Sequence, residues 1–350
     1  MTLPIDSERD FEALGRARMT LRRALLSCSV LLLVLGCTVV ATSLVGSERL
    51  PVGESLCALV SGGRSSCGLT SSQWAILFEI RLPRILLAAA VGASLASAGA
   101  GYQALLRNPL AEPYLLGISN GAAVGTMVAL VFFGTLEWSR PVMAFVGALL
   151  ASLAVYQLAR GRAGASPERM ILAGVIVTTF LSSAIVFITT LMDATRIRSF
   201  TFWLLGDLSG ATSRLLIVAL IVSIGGAALL TAYARPLNLL MLGERDAFDL
   251  GVEVGRVKTI VFLAAGLLVG TSVASSGSVG YVGLVVPHLV RLSLGADNRI
   301  TIPAAALSGA LFVVVADTLA RTVIAPRELP VGAITALIGA PLFIYLLRKG

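Results

Sequence analysis

One histidine, four cysteines and two lysines (Lys258 and Lys349) bound the chemistry open to this 350-residue chain. His288 sits beside a proline in Val285-Val286-Pro287-His288-Leu289-Val290-Arg291, where a hydrogen-bonded structural imidazole fits better than a ligand. A single histidine with four cysteines does not furnish a multi-ligand haem or metal centre, so no metal site is expected. Cys57 and Cys67 flank Gly62-Gly63 in a polar stretch, where oxidation to a disulfide is allowed but not demanded. Cys28 and Cys37 lie in an apolar run and are read as packing residues. No glycine-rich loop ends in Lys-Ser or Lys-Thr, so the chain cannot itself be a P-loop ATPase. H-E-x-x-H and G-x-S-x-G are absent as well, and no catalytic residue is expected. Two other groupings carry chemical interest. Asp317 and Arg321 are four apart in an apolar run, which permits a same-face ion pair, and intramembrane charges are functional suspects. Thr178, Thr179, Ser182 and Ser183 recur at helical spacing, so they can line a polar pathway or bond back to their own backbone.

The elements that must position these residues are helices in a membrane. Hydrophobic residues make up 57% of the chain and charged ones 13%, about half the roughly 25% of a soluble domain, and mean hydropathy is +0.91. A soluble enzyme, a disordered chain and a basic nucleic-acid binder are excluded. Apolar runs predict about ten transmembrane helices near 21–46, 84–106, 114–134, 141–160, 168–192, 213–233, 257–276, 281–295, 301–321 and 330–347. Residues 1–20 read as a cytoplasmic N-terminal segment and 21–350 as a single transmembrane domain. The net charge of +8 distributes with most cations on one side, which places both termini in the cytoplasm. Arg81, Arg84, Arg321 and Arg327 fall on the other side. Snorkelling accounts for them singly; together they read as a basic outer mouth for an acidic partner.

Residues 91–100, VGASLASAGA, and 269–278, VGTSVASSGS, agree at six of ten positions. They fall in the second and seventh predicted helices. An offset of five helices reverses direction across the membrane, so the fold class is all-α and polytopic with an inverted repeat of helices 2–5 and 7–10, a transporter signature. The charged, glycine-punctuated yet amphipathic stretch 235–256 is too apolar for a tether. It is expected to form short helices on the cytoplasmic face that meet a partner.

Several ordered motifs together resemble one known family. They are RLPR at 81–84, GASLASAGAGYQALLRNPLAEPYLLGISNGA at 92–122, FWLLGDLSG at 202–210, RPLNLLMLGERDAFDLGV at 235–252, GSVGYVGLVVPHLVR at 277–291 and APRELPVGAITALIGAPLFIYLLRK at 325–349. Over about residues 75–348 the chain resembles the permease subunits of binding-protein-dependent ABC importers for iron-siderophores, haem and vitamin B12, the FecCD-like type II importers. The resemblance implies a ten-helix permease working as a homodimer, with two ATP-binding cassette subunits that hold ATP and Mg. It also implies a periplasmic or tethered binding protein delivering a chelate, a bacterial inner-membrane location, membrane lipid as surroundings and no nucleic acid. By resemblance, Arg81, Arg84 and Arg321 dock the binding protein. Leu242, Gly243, Glu244, Arg245, Asp246, Ala247, Leu250 and Gly251 form the ATPase coupling loop. Asn108 and Leu110 form a cytoplasmic gate, and Thr178, Thr179, Ser182 and Ser183 line the pathway. A second gate of small hydroxyl residues would fall at Ser166-Pro167-Glu168-Arg169, which departs from that pattern. An ion-gradient-driven secondary transporter is the alternative reading.

Overall fold

A computed structural model describes residues 21–46, 48–61, 67–133, 136, 138–161 and 164–349; the 1–20 segment lies outside the described residues. Every predicted apolar run is a helix. In chain order these are α1 (Leu21–Leu44), α2 (Val52–Ser61), α3 (Ser71–Leu105), α4 (Ile118–Phe132), α5 (Ser139–Ala159), α6 (Pro167–Thr190) and α7 (Ala194–Leu204). The second half holds α8 (Ser213–Ala232), α9 (Ala234–Leu242), α10 (Glu244–Asp249), α11 (Val254–Ser276), α12 (Val282–Leu294), α13 (Asn298–Thr322) and α14 (Val331–Lys349). Seven are long and apolar enough to span a bilayer: α1, α3, α5, α6, α8, α11 and α13. The chain is therefore a multi-pass membrane protein. α2, α7, α9 and α10 were not among the ten predicted helices, although short helices were expected within 235–256.

α3 is the central post, packed on α13, α11, α8 and α12. Its small residues let backbones touch, the usual packing device where lipid removes the hydrophobic driving force between helices. A Cβ on Gly92 would lie 2.1 Å from Gly309 O of α13, and one on Gly99 would lie 1.9 Å from Gly283 O of α12. The repeat is visible in this packing. α3 runs antiparallel to α13, with Arg84 at Asp317 and Gly92 at Gly309. α11 runs antiparallel to α5, with Tyr156 at Thr259 and Gly270 at Ala148. Gly92 and Gly270 are equivalent positions in the two copies, and each seats its helix on a helix of the other half.

α4 and α12 have 15 and 13 residues, too few for the ~20 that a span needs. Each begins at a left-handed residue, Gly117 (φ 75°) and Tyr281 (φ 67°), and their first turns meet inside the protein. The Ser119 hydroxyl donates to Ser278 Oγ at 3.3 Å. The Tyr114 hydroxyl donates to Val279 O and accepts from its N–H, both at 3.0 Å. The Tyr281 N–H donates to Glu112 Oε1 at 3.2 Å, giving a carboxylate to a helix start whose dipole favours one. Buried backbone needs such partners, because there is no water in hydrocarbon to supply them.

Candidate functional site

At one end of the bundle, Cys57 and Cys67 are disulfide-bonded, with Cα atoms 5.7 Å apart. The arginines picked from sequence gather at this disulfide end. Arg84 Nη2 lies 2.9 Å from Asp317 Oδ1, and Arg84 Nη1 lies 2.8 Å from Glu328 Oε2. Arg321 Nε is 3.0 Å from Asp317 Oδ2, completing the expected i,i+4 pair. Arg81 donates to the carbonyls of Ser43, at 3.1 Å, and Glu48, which tie α3 to the end of α1. The three cations do meet, but as a buried cluster in which Arg84 and Arg321 are paired with acids and Arg81 with backbone carbonyls, not as a free basic mouth. Arg81, Arg84 and Arg321 are only 5%, 8% and 7% exposed. The partnership of Arg84 with Asp317 spans 233 residues, which is why sequence spacing offered only Arg321. Glu328, half-exposed, is the acid that the sequence reading missed.

At the opposite end, residues 235–256 fold into α9 and α10 as expected. Gly243 (φ 145°) and Gly251 (φ 84°) make the bends on either side of α10, in backbone regions open to glycine. Ala247 is fully buried, whereas Leu242, Phe248 and Leu250 are exposed apolar side chains. Such a patch outside the bundle marks an interaction surface. Polar links bind the segment to the bundle. Glu244 Oε2 lies 2.6 Å from Lys258 Nζ on α11, and that lysine side chain is 8% exposed. Asn238 Nδ2 donates to Asp297 Oδ1 at 2.7 Å, and Asn238 Oδ1 accepts from Asn298 N at 2.9 Å, at the start of α13. Burial pushes the Asp297 carboxyl up, but bonds from Arg299 and Asn238 outweigh that and hold it below its ordinary value. Neither link was read from sequence, because each joins residues distant in the chain.

The hydroxyl stripe on α6 combines bonds back to its own helix with a bond from a neighbouring helix. Thr179, Ser182 and Ser183 are exposed. Thr179 donates to Val175 O at 2.9 Å and Ser183 to Thr179 O at 3.1 Å, bonding back to their own helix. Ser182 Oγ accepts from Asn120 Nδ2 at 2.7 Å, and Thr178 O accepts from the same amide at 3.2 Å. Asn120 therefore joins the stripe from α4. Asn108 and Leu110 share a tight turn after α3, in which Leu110 N–H donates to Asn108 Oδ1 at 2.9 Å, and Leu110 is exposed. The departure at 166–169 has a local cause. Ser166 caps α6 by accepting from Arg169 N at 3.3 Å, Pro167 fills the first helical turn and Glu168 follows it.

An antiparallel repeat around a small-residue post, with paired half-helices at its centre, is a transport permease architecture. The FecCD transport family matches residues 31–349, and the chain belongs to it. Among its relatives, the cobalamin import system permease protein BtuC of Halobacterium salinarum is 43% identical over 281 residues, covering 80% of this chain and 75% of that protein. The hemin transport system permease protein HmuU of Yersinia pestis is 42% identical over 283 residues, covering 79% and 84%. Of the solved structures, a metal-chelate type ABC transporter in an inward-facing conformation superposes with a TM-score of 0.81 at 31% identity, covering 92% of this chain and 99% of that one.

Proposed function

We propose that this chain is the membrane-spanning subunit of an ATP-driven importer for a metal chelate of the iron-siderophore, haem or cobalamin type. Two copies would form the pathway between their α6 faces, where Thr179, Ser182 and Ser183 stand exposed among Phe180, Val186 and Phe187. The observation that carries the reading is the 242–250 surface. It exposes Leu242, Phe248 and Leu250 while Glu244 and Asn238 fasten it to α11 and α13, as expected of a segment that takes up motion from a partner. ATP and Mg would belong to that partner, an ATP-binding cassette subunit present twice. The substrate-binding protein would dock over Arg81, Arg84 and Arg321, with its carboxylates exchanging for Glu328. Asn108 and Leu110 would gate the cytoplasmic side.

The runner-up, an ion-coupled carrier, needs an intramembrane acid free to bind and release its ion. Asp317 is the candidate, and two arginines already hold it. Uptake that requires the ATPase subunits separates the two readings.

The disulfide bears on orientation. Thiols oxidise and persist as disulfides outside the cytoplasm, so the Cys57–Cys67 end would face outward and the 235–256 end inward, with both termini cytoplasmic. In a Cys28→Ala/Cys37→Ala background, a membrane-impermeant maleimide applied to intact cells is expected to label the chain only after an external reductant. Labelling that needs access from the cytoplasm would reverse the orientation.

A further inference from the structure

None of these roles uses the groove between α5 and α8. α11 packs on both helices and floors the groove, with Leu263 and Leu267 exposed along its length. The flanking helices also present exposed apolar side chains, among them Val142 and Val146 of α5 and Ile217 and Ile221 of α8. At the disulfide end the groove opens into a cleft of about 660 Å³ lined by Trp138, Arg140, Phe202, Trp203, Asp207 and Arg214. The Asp207 carboxylate is already engaged, accepting from Ser209 N at 2.7 Å and from Ser209 Oγ at 2.8 Å. Arg140 and Arg214 are exposed, and neither forms an ion pair or hydrogen bond among the described residues. Snorkelling explains arginines scattered around a helix bundle. It does not explain two unengaged guanidiniums in one concavity, lined by aromatic rings and continued by an apolar lane.

We propose that this cleft is a binding site for one acidic phospholipid. The two guanidiniums supply forked donors matched to a phosphodiester. Trp138 is of the residue type that meets lipid headgroups, Phe202 adds an apolar wall, and the acyl chains lie along the groove over α11. A zwitterionic lipid would bring its own cation into the same cleft and lose the charge match. The inference rests only on the membrane fold and not on the imported substrate.

The test is native mass spectrometry of the full chain, equilibrated with equal phosphatidylglycerol and phosphatidylcholine. The wild type is expected to retain one phosphatidylglycerol per copy in preference to phosphatidylcholine. A cation near a membrane surface contributes about fivefold to binding of an acidic lipid, so Arg140→Gln/Arg214→Gln is expected to lower retention roughly 25-fold. Arg140→Lys/Arg214→Lys keeps the charge and reports on folding, so it should retain much of the lipid. Arg196→Gln removes an arginine that pairs with Asp193 outside the cleft and should retain all of it. Equal retention by the double glutamine variant, no preference of the wild type for phosphatidylglycerol, or displacement of the lipid by excess inorganic phosphate would overturn the proposal.

Discussion

Asp317→Asn is expected to destabilise the protein by about 3–5 kcal/mol, the usual cost of removing one partner from a buried ionic network. Asp317 is the shared counter-ion of Arg84 and Arg321 at the crossing of α3 and α13. Without it, two buried guanidiniums repel each other and only Glu328 remains to hold Arg84. Thermal unfolding of the detergent-purified chain should show a clear drop in Tm. The triple variant Asp317→Leu/Arg84→Leu/Arg321→Leu should recover most of it, because a neutral, packed site avoids the desolvation cost altogether. A single variant as stable as the wild type would show that the cluster does not hold the two helices together. The same geometry predicts that changing Arg84 to a carboxylate harms folding before it tests docking. Arg81, bonded among the described residues to backbone carbonyls, is the cleaner probe of a binding-protein contact.

The Glu244–Lys258 contact should govern the coupling between ATP hydrolysis and transport. Glu244 opens α10 beside the Gly243 bend, and Lys258 lies one turn into α11, so their ion pair is a polar strut from the exposed patch to the bundle. Lys258→Met or Glu244→Gln is expected to lower transport per ATP hydrolysed roughly tenfold, within the 5–150-fold range of ordinary coupling energies. The ATPase subunits should still co-purify, because Phe248 and Leu250 remain exposed to receive them. The swap Glu244→Lys/Lys258→Glu should restore much of the coupling. Unchanged coupling in the single variants would leave the Asn238–Asp297–Asn298 link to α13 as the remaining route.

Helix positions were legible because apolar runs of span length have few other solutions in a chain with this little charge. The repeat was legible because close packing restricts both copies to small residues, Gly92 in one and Gly270 in the other. The site was legible only where spacing is local: Asp317 with Arg321, the hydroxyls of α6, and the bends around Gly243 and Gly251. What escaped depends on contacts made between distant residues. Arg84 reaches Asp317 across 233 residues, and Asn120 reaches Ser182 across 62. The 15-residue length of α4 also escaped, because hydropathy runs on through the turn at 113–117 that precedes it, whereas the short α12 was already visible as the run 281–295.

Arg84 and Arg321 form, with Asp317 and Glu328, a buried brace between α3 and the end of α13 and not an open basic mouth, and the exposed apolar patch lies on 242–250. The most direct test reconstitutes the permease in proteoliposomes with its cognate ATPase subunits and binding protein, loaded with radiolabelled cobalamin, haem or ferric siderophore in turn. One of these chelates is expected to accumulate when ATP is supplied on the ATPase side, and omitting the ATPase subunits is expected to abolish accumulation. Accumulation driven by an ion gradient without those subunits would contradict the ATP-driven reading.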